Sequence, residues 1–168
     1  MGLILTLSAH NQKKKTVLSY NKRLEHRTVY KITPIGNRNG LGAKGVVVSF
    51  EKEAQYLKLA ASFFWEDLRL QLVYQNAHLW VNENKKARFD LIFADTWTGK
   101  FTELETVLDM VKPGGFYVLD DFNQQTDWPR DHQDKVILLM EKLKCQKDFY
   151  ILPLDIGSGF MVLCRKRN

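Results

Sequence analysis

Four short apolar runs in this chain each end in a carboxylate or an amide. Val46-Val47-Val48-Ser49-Phe50 is followed by Glu51, and Leu70-Gln71-Leu72-Val73-Tyr74 by Gln75-Asn76-Ala77. Phe89-Asp90-Leu91-Ile92-Phe93-Ala94 is followed by Asp95, and Phe116-Tyr117-Val118-Leu119 by Asp120-Asp121. A carboxylate such as Glu51 can accept hydrogen bonds from both hydroxyls of a ribose. It can equally serve the first turn of a helix, where the dipole favours an acid. Asn76 offers a donor and an acceptor together, which suits the edge of an adenine and also suits a turn. Asp95, Asp120 and Asp121 are residues of the kind that hold a hard metal ion or position a substrate hydroxyl. Alternation along a strand places Asp120 and Asp121 on opposite sides. Each acid taken alone reads as readily as a cap, and no metal ligand set is assigned.

The elements that would position these residues are legible in the periodicity. The apolar runs read as buried strands, to which Phe149–Leu152 and Phe160–Cys164 add two closing strands joined through Gly157-Ser158-Gly159. Residues 52–65, 101–111 and 132–144 carry apolar residues at helical spacing. In the last, Val136, Leu139, Met140 and Leu143 face inward. Lys112-Pro113-Gly114-Gly115 is expected to stop the second helix, since proline lacks the amide proton and glycine allows a left-handed exit. Strand–helix alternation with near-continuously apolar strands predicts an α/β fold, a doubly wound, mostly parallel sheet with helices on both faces. Ligands of such sheets bind beyond the carboxyl ends of the strands, where the polar residues above converge.

The glycines that would cradle a nucleotide are sparse. Ile35-Gly36-Asn37-Arg38-Asn39-Gly40-Leu41-Gly42 departs from the usual spacing, with Arg38 in a small-residue position. Only Ala43-Lys44-Gly45 separates it from Val46, whereas a crossover helix needs about ten residues or more. The expected first crossover is therefore shortened.

The chain has 168 residues and a net charge of +6, with 45% hydrophobic and 26% charged residues. That composition excludes a disordered or collagen-like chain, and no apolar run approaches a membrane span. Two cysteines, Cys145 and Cys164, are too few for a disulfide scaffold. With no charged region ahead of the first apolar residues, a cytoplasmic protein is expected. The charge is uneven: residues 1–45 hold nine Lys and Arg against Glu25 alone, and the rest is close to neutral. Residues 1–30 are accordingly expected to form a basic arm outside the sheet, with residues 31–168 as the domain. Such an arm can attract nucleic acid, but it lacks the interleaved aromatics used to stack bases. No membrane partner is expected, and a homodimer is compatible with the sequence.

Three segments, read together, resemble a class I S-adenosylmethionine-dependent methyltransferase of the small bacterial O-methyltransferase-like kind. They are FDLIFADTWTGKF at 89–101, VKPGGFYVLDDFNQQTDWPRDH at 111–132 and LPLDIGSGFMVLCRKR at 152–167. The resemblance implies a Rossmann-like fold, S-adenosylmethionine as cofactor, and methyl transfer to a small-molecule acceptor, with oxygen as the receiving atom. It implies Glu51 on the ribose, Asn76 and Ala77 on the adenine, and Gly36 and Gly40 at the methionine end. Asp95 would stand between cofactor and acceptor, with Asp121 and His132 on the acceptor side. An imidazole, with an ordinary pKa near 6.5, is the candidate base. Pro34 and Arg38 depart from the family's loop, so a non-catalytic relative that binds acidic partners through its basic arm is the competing expectation.

Overall fold

The structure is a computed structural model that describes residues 3–8, 45–64, 66–124 and 131–167. Its strands are β1 (Leu3–Ser8), β2 (Val46–Glu51), β3 (Leu70–Tyr74), β4 (Phe89–Asp95), β5 (Val111–Leu119), β6 (Phe149–Leu154) and β7 (Phe160–Arg165). The helices are α1 (Ala54–Phe64), α2 (Ala77–Glu83), α3 (Leu104–Asp109) and α4 (His132–Lys144). One sheet takes in all seven strands in the order β3-β2-β1-β4-β5-β7-β6. Strands β1 to β5 run parallel, and β7 is antiparallel to both β5 and β6. The fold is the doubly wound, mostly parallel α/β sheet that the alternation predicts. Among the described residues no helix is long and apolar enough to cross a membrane.

The first strand corrects one expectation. Leu3–Ser8, expected in an arm outside the sheet, lies at the sheet's centre, paired to β2 and β4. The segment LILTLS has no charge, and the basic residues begin only at Lys13. The crossover from β1 to β2 takes in residues 9–45, nearly all outside the described residues. Gly36, Arg38 and Gly40 lie outside the described residues, as do Trp128 and Pro129 in a later segment.

The chain winds outward from the centre in both directions. Right-handed crossovers then put α1 on one face and α2, α3 and α4 on the other. The second face is closed: Ile92, Ala94, Tyr117, Leu119 and Leu163 are wholly buried. They pack in one cluster with Val81 of α2, Val107 and Leu108 of α3, and Leu139 and Leu143 of α4. Helix α2 docks through Trp80, whose ring lies 4.6 Å from Phe50 and 6.1 Å from Phe89.

Helix α3 is shorter than its periodicity suggests. The backbone carbonyl of Trp97 accepts from the amides of Lys100, Phe101 and Thr102, so the chain forms a tight loop before Leu104. Lys112–Gly115 follows as part of β5, outside the ladder: the register steps from Phe89↔Val111 to Leu91↔Phe116. Gly114 has φ +77, and a Cβ on Gly115 would lie 2.9 Å from the carbonyls of Asp90 and Lys112. Both positions require glycine.

Candidate functional site

Register brings the strand ends to one edge. Ser8 stands opposite Asp95, Glu51 opposite Tyr74, and Ala94 opposite Leu119. Because β1 separates β2 from β4, Glu51 and Asp95 are about 10 Å apart across the sheet. The site therefore has two halves.

The first half is built from the ends of β2 and β3. One oxygen of Glu51 accepts from the Glu53 amide at 2.9 Å, the local capping role of an acid ahead of a helix. A carboxylate has acceptor capacity beyond one such bond. Asn76 is the N-cap of α2, its side chain accepting from the His78 amide at 2.9 Å. The turn reading of Asn76 is thus realised, and its amide group keeps donors that the cap does not use. Ala77 is buried beneath it. Beside Asn76 and Ala77 opens a cavity of about 340 Å³ lined also by Lys52, Thr96, Trp97 and their neighbours; Glu51 is not among its lining residues, and the adjoining Lys52 is. His78 Nδ1 pairs with Glu103 at 2.8 Å and ties α2 to the start of α3 along the cavity.

The second half gathers around the ends of β4 and β5. The Asp120 amide donates to the Ala94 carbonyl at 3.1 Å, setting Asp120 next to the end of β4. Its carboxylate accepts from the Asp121 amide at 2.6 Å and from the Ser158 hydroxyl. Burial pushes the Asp120 carboxyl above the usual range, and the Ser158 bond opposes that shift. The expected alternation of Asp120 and Asp121 does not apply. Strand β5 ends at Leu119, and Asp121 adopts a left-handed backbone with φ +60. Among the described residues no three His, Cys, Asp or Glu side chains come together to hold a metal ion.

His132 opens α4, its ring edge-on to Phe101 at 5.4 Å and to Trp97 at 6.5 Å. Burial lowers its pKa below the ordinary 6.5, and the Lys100 charge adds to that, while the Asp121 charge pulls the other way. The imidazole is therefore neutral over a wider range than in water and available to take a proton.

Sequence reasoning missed Lys100, Ser158 and Tyr117. Lys100 is buried, with Nζ donating to the Asp120 backbone carbonyl and lying 5.7 Å from the Phe101 ring and 5.9 Å from Phe122. Tyr117 is wholly buried, and its hydroxyl donates to the Gly99 carbonyl at 2.6 Å. Together these two bonds tie the loop after β4 to β5. The only signal was position, a lysine five residues past a strand end; lysine is so rarely buried that its type pointed outward.

No known family profile matches the sequence, and no curated protein matches it. Solved structures match it over nearly its whole length. A protein from Corynebacterium glutamicum gives a TM-score of 0.73 at 15% identity, covering 99% of this chain and 73% of that one. A putative caffeoyl-CoA O-methyltransferase from Staphylococcus aureus gives 0.68 at 15%, covering 98% and 76%. An O-methyltransferase from Bacillus cereus in complex with SAH gives 0.69 at 18%, covering 98% and 74%. The fold is that of the class I S-adenosylmethionine-dependent methyltransferases. Within that methyltransferase fold, the halves described here occupy the carboxyl edge of the sheet, on either side of the central strand β1.

Proposed function

We propose that this chain transfers a methyl group from S-adenosylmethionine to an oxygen of a small-molecule acceptor. The observation that carries the reading is the cavity beside Asn76 and Ala77, bordered at Thr96 and Trp97 by the loop that follows Asp95. Its volume is at the lower end of small-molecule sites, and its donors and acceptors fit an adenosine group. The methyltransferase fold and the SAH-bound neighbour support the same reading. In this proposal Glu51 holds the ribose hydroxyls, Asn76 and Ala77 hold the adenine, and Gly36 and Gly40 contribute the methionine end. When bound, the cofactor supplies an electrophilic methyl on a sulfonium. Asp95 orients the acceptor against the cofactor side, so that proximity and alignment lower the barrier. A ring nitrogen of His132 takes the hydroxyl proton. Asp121 provides the negative charge that steadies the imidazolium so formed.

Glu51→Ala is expected to weaken SAH binding by about 2–3 kcal/mol, the value of hydrogen bonds to a charged acceptor. Because Glu51 also receives the Glu53 amide, Glu51→Gln is the control: it keeps one oxygen to accept from that amide and loses the charge and the second acceptor oxygen. Calorimetric titration of both variants checks this. An affinity unchanged in both removes Glu51 from the site.

A further inference from the structure

A second cavity, of about 250 Å³, adjoins the first. Trp97 and Thr102 line both. Beyond Trp97 the wall is apolar at Phe101 and Leu138 and carries the cations Lys100, Lys135 and Lys142. Among the described residues no carboxylate lines it. Lys135 and Lys142 are seven residues apart on α4, two helical turns, so they stand on one face of the helix. Lys135 Nζ lies 4.6 Å from the Trp97 ring centroid. Trp97 is 49% exposed and Leu138 57%, a large apolar area to leave open between cations. Lys135 also pairs with Asp131 one turn away on the exposed side, and exposed pairs of that kind contribute little and yield to a better partner. Lys142 makes no ion pair among the described residues.

We propose that this cavity binds an amphipathic anion, a flat apolar body against Trp97 and Phe101 with one carboxylate or phosphate held between Lys135 and Lys142. An anion offsets a cluster of like charges beside an apolar wall, where few other groups are available to do so. Lysine acts as a point charge and does not select between the two anionic groups. The His132 ring stands edge-on to the same Phe101 and Trp97. On the methyl-transfer reading, on which this identification rests, the anion is therefore the acceptor, its hydroxyl toward His132 and its charge toward α4.

The test uses the full chain and three probes, naphthoate, naphthyl phosphate and the neutral naphthamide, with SAH titrated separately. Both anions are expected to bind about ten-fold tighter than the amide, a difference near 1.4 kcal/mol. The Lys135→Gln/Lys142→Gln double variant should bring them down to the level of the amide. Trp97→Ala should weaken all three. Equal affinity for anions and amide, or an anion preference intact in the double variant, overturns the proposal. If SAH binds and the preference is absent, this proposal alone falls. If the preference holds and SAH does not bind, the anion site stands and the methyl-transfer reading falls.

Discussion

Removing residues 1–8 is expected to abolish the cooperative unfolding transition of this protein. Strand β1 is the hinge of the sheet, paired over five residues to β2 on one side and over five to β4 on the other. Without it the sheet divides into a β3-β2 pair and a β4-β5-β7-β6 group. The facing backbone amides and carbonyls of β2 and β4 then lose their partners, each at about 1–3 kcal/mol when buried. Lost over two ladders, that exceeds the 5–15 kcal/mol by which ordinary domains are stable. Leu5→Pro makes the same point with one substitution, since proline removes a donor and is not accommodated inside a central strand. Thermal unfolding followed by circular dichroism checks both. A truncated chain that melts cooperatively within a few degrees of the full one would show that β1 does not organise the sheet.

That strand also shows what was and was not legible in the sequence. Leu3-Ile4-Leu5-Thr6-Leu7-Ser8 is a short apolar run like the others, but the charge of the segment that follows hid it. Averaged over thirty residues, the basic excess describes Lys13 to Arg27 and says nothing of the uncharged start. Strands β2 to β5 were readable because each ends at a polar residue and lies next to a helical period. Helix α2 escaped notice because its seven residues carry only a short apolar pattern. The Lys112–Gly115 stop was readable as a break, because proline and glycine constrain the backbone locally. That it falls as an interruption within β5 depends on Phe89 and Leu91 of β4 pairing with Val111 and Phe116, a tertiary matter. The strand-end acids were legible as a set, whereas Asp120 and Asp121 were not: strand alternation does not extend past Leu119. The bonds of Lys100 and Tyr117 to backbone carbonyls twenty and eighteen residues away have no sequence signature.

His132→Ala is expected to reduce methyl transfer by about 10²–10⁴-fold, the usual contribution of a positioned base. Its pH dependence separates that role from a packing role against Phe101. Burial and Lys100 hold the folded pKa of His132 below 6.5. The wild-type rate should therefore be fully developed at neutral pH and fall only as pH drops through that lowered value. The acid limb should have its midpoint below 6.5 and should be absent from the residual activity of the alanine variant. Titration of the ring followed by NMR gives the same pKa without turnover. A midpoint above 6.5, or an acid limb unchanged in His132→Ala, would remove the imidazole from proton transfer. Asp121→Ala should lower the His132 pKa further, moving the acid midpoint down while the plateau rate falls with the weaker base; a midpoint that stays put or rises would show that the charge assigned to Asp121 is wrong.

The central claim is that the carboxyl edge, around Glu51, Asn76 and Ala77, is a cofactor site, and calorimetric titration of S-adenosylhomocysteine into the full chain tests it most directly. The account predicts saturable binding of one molecule per chain. A folded, cooperatively melting protein that shows no saturable heat up to about 1 mM ligand, weaker than about 4 kcal/mol, would contradict it and leave a methyltransferase fold without the cofactor.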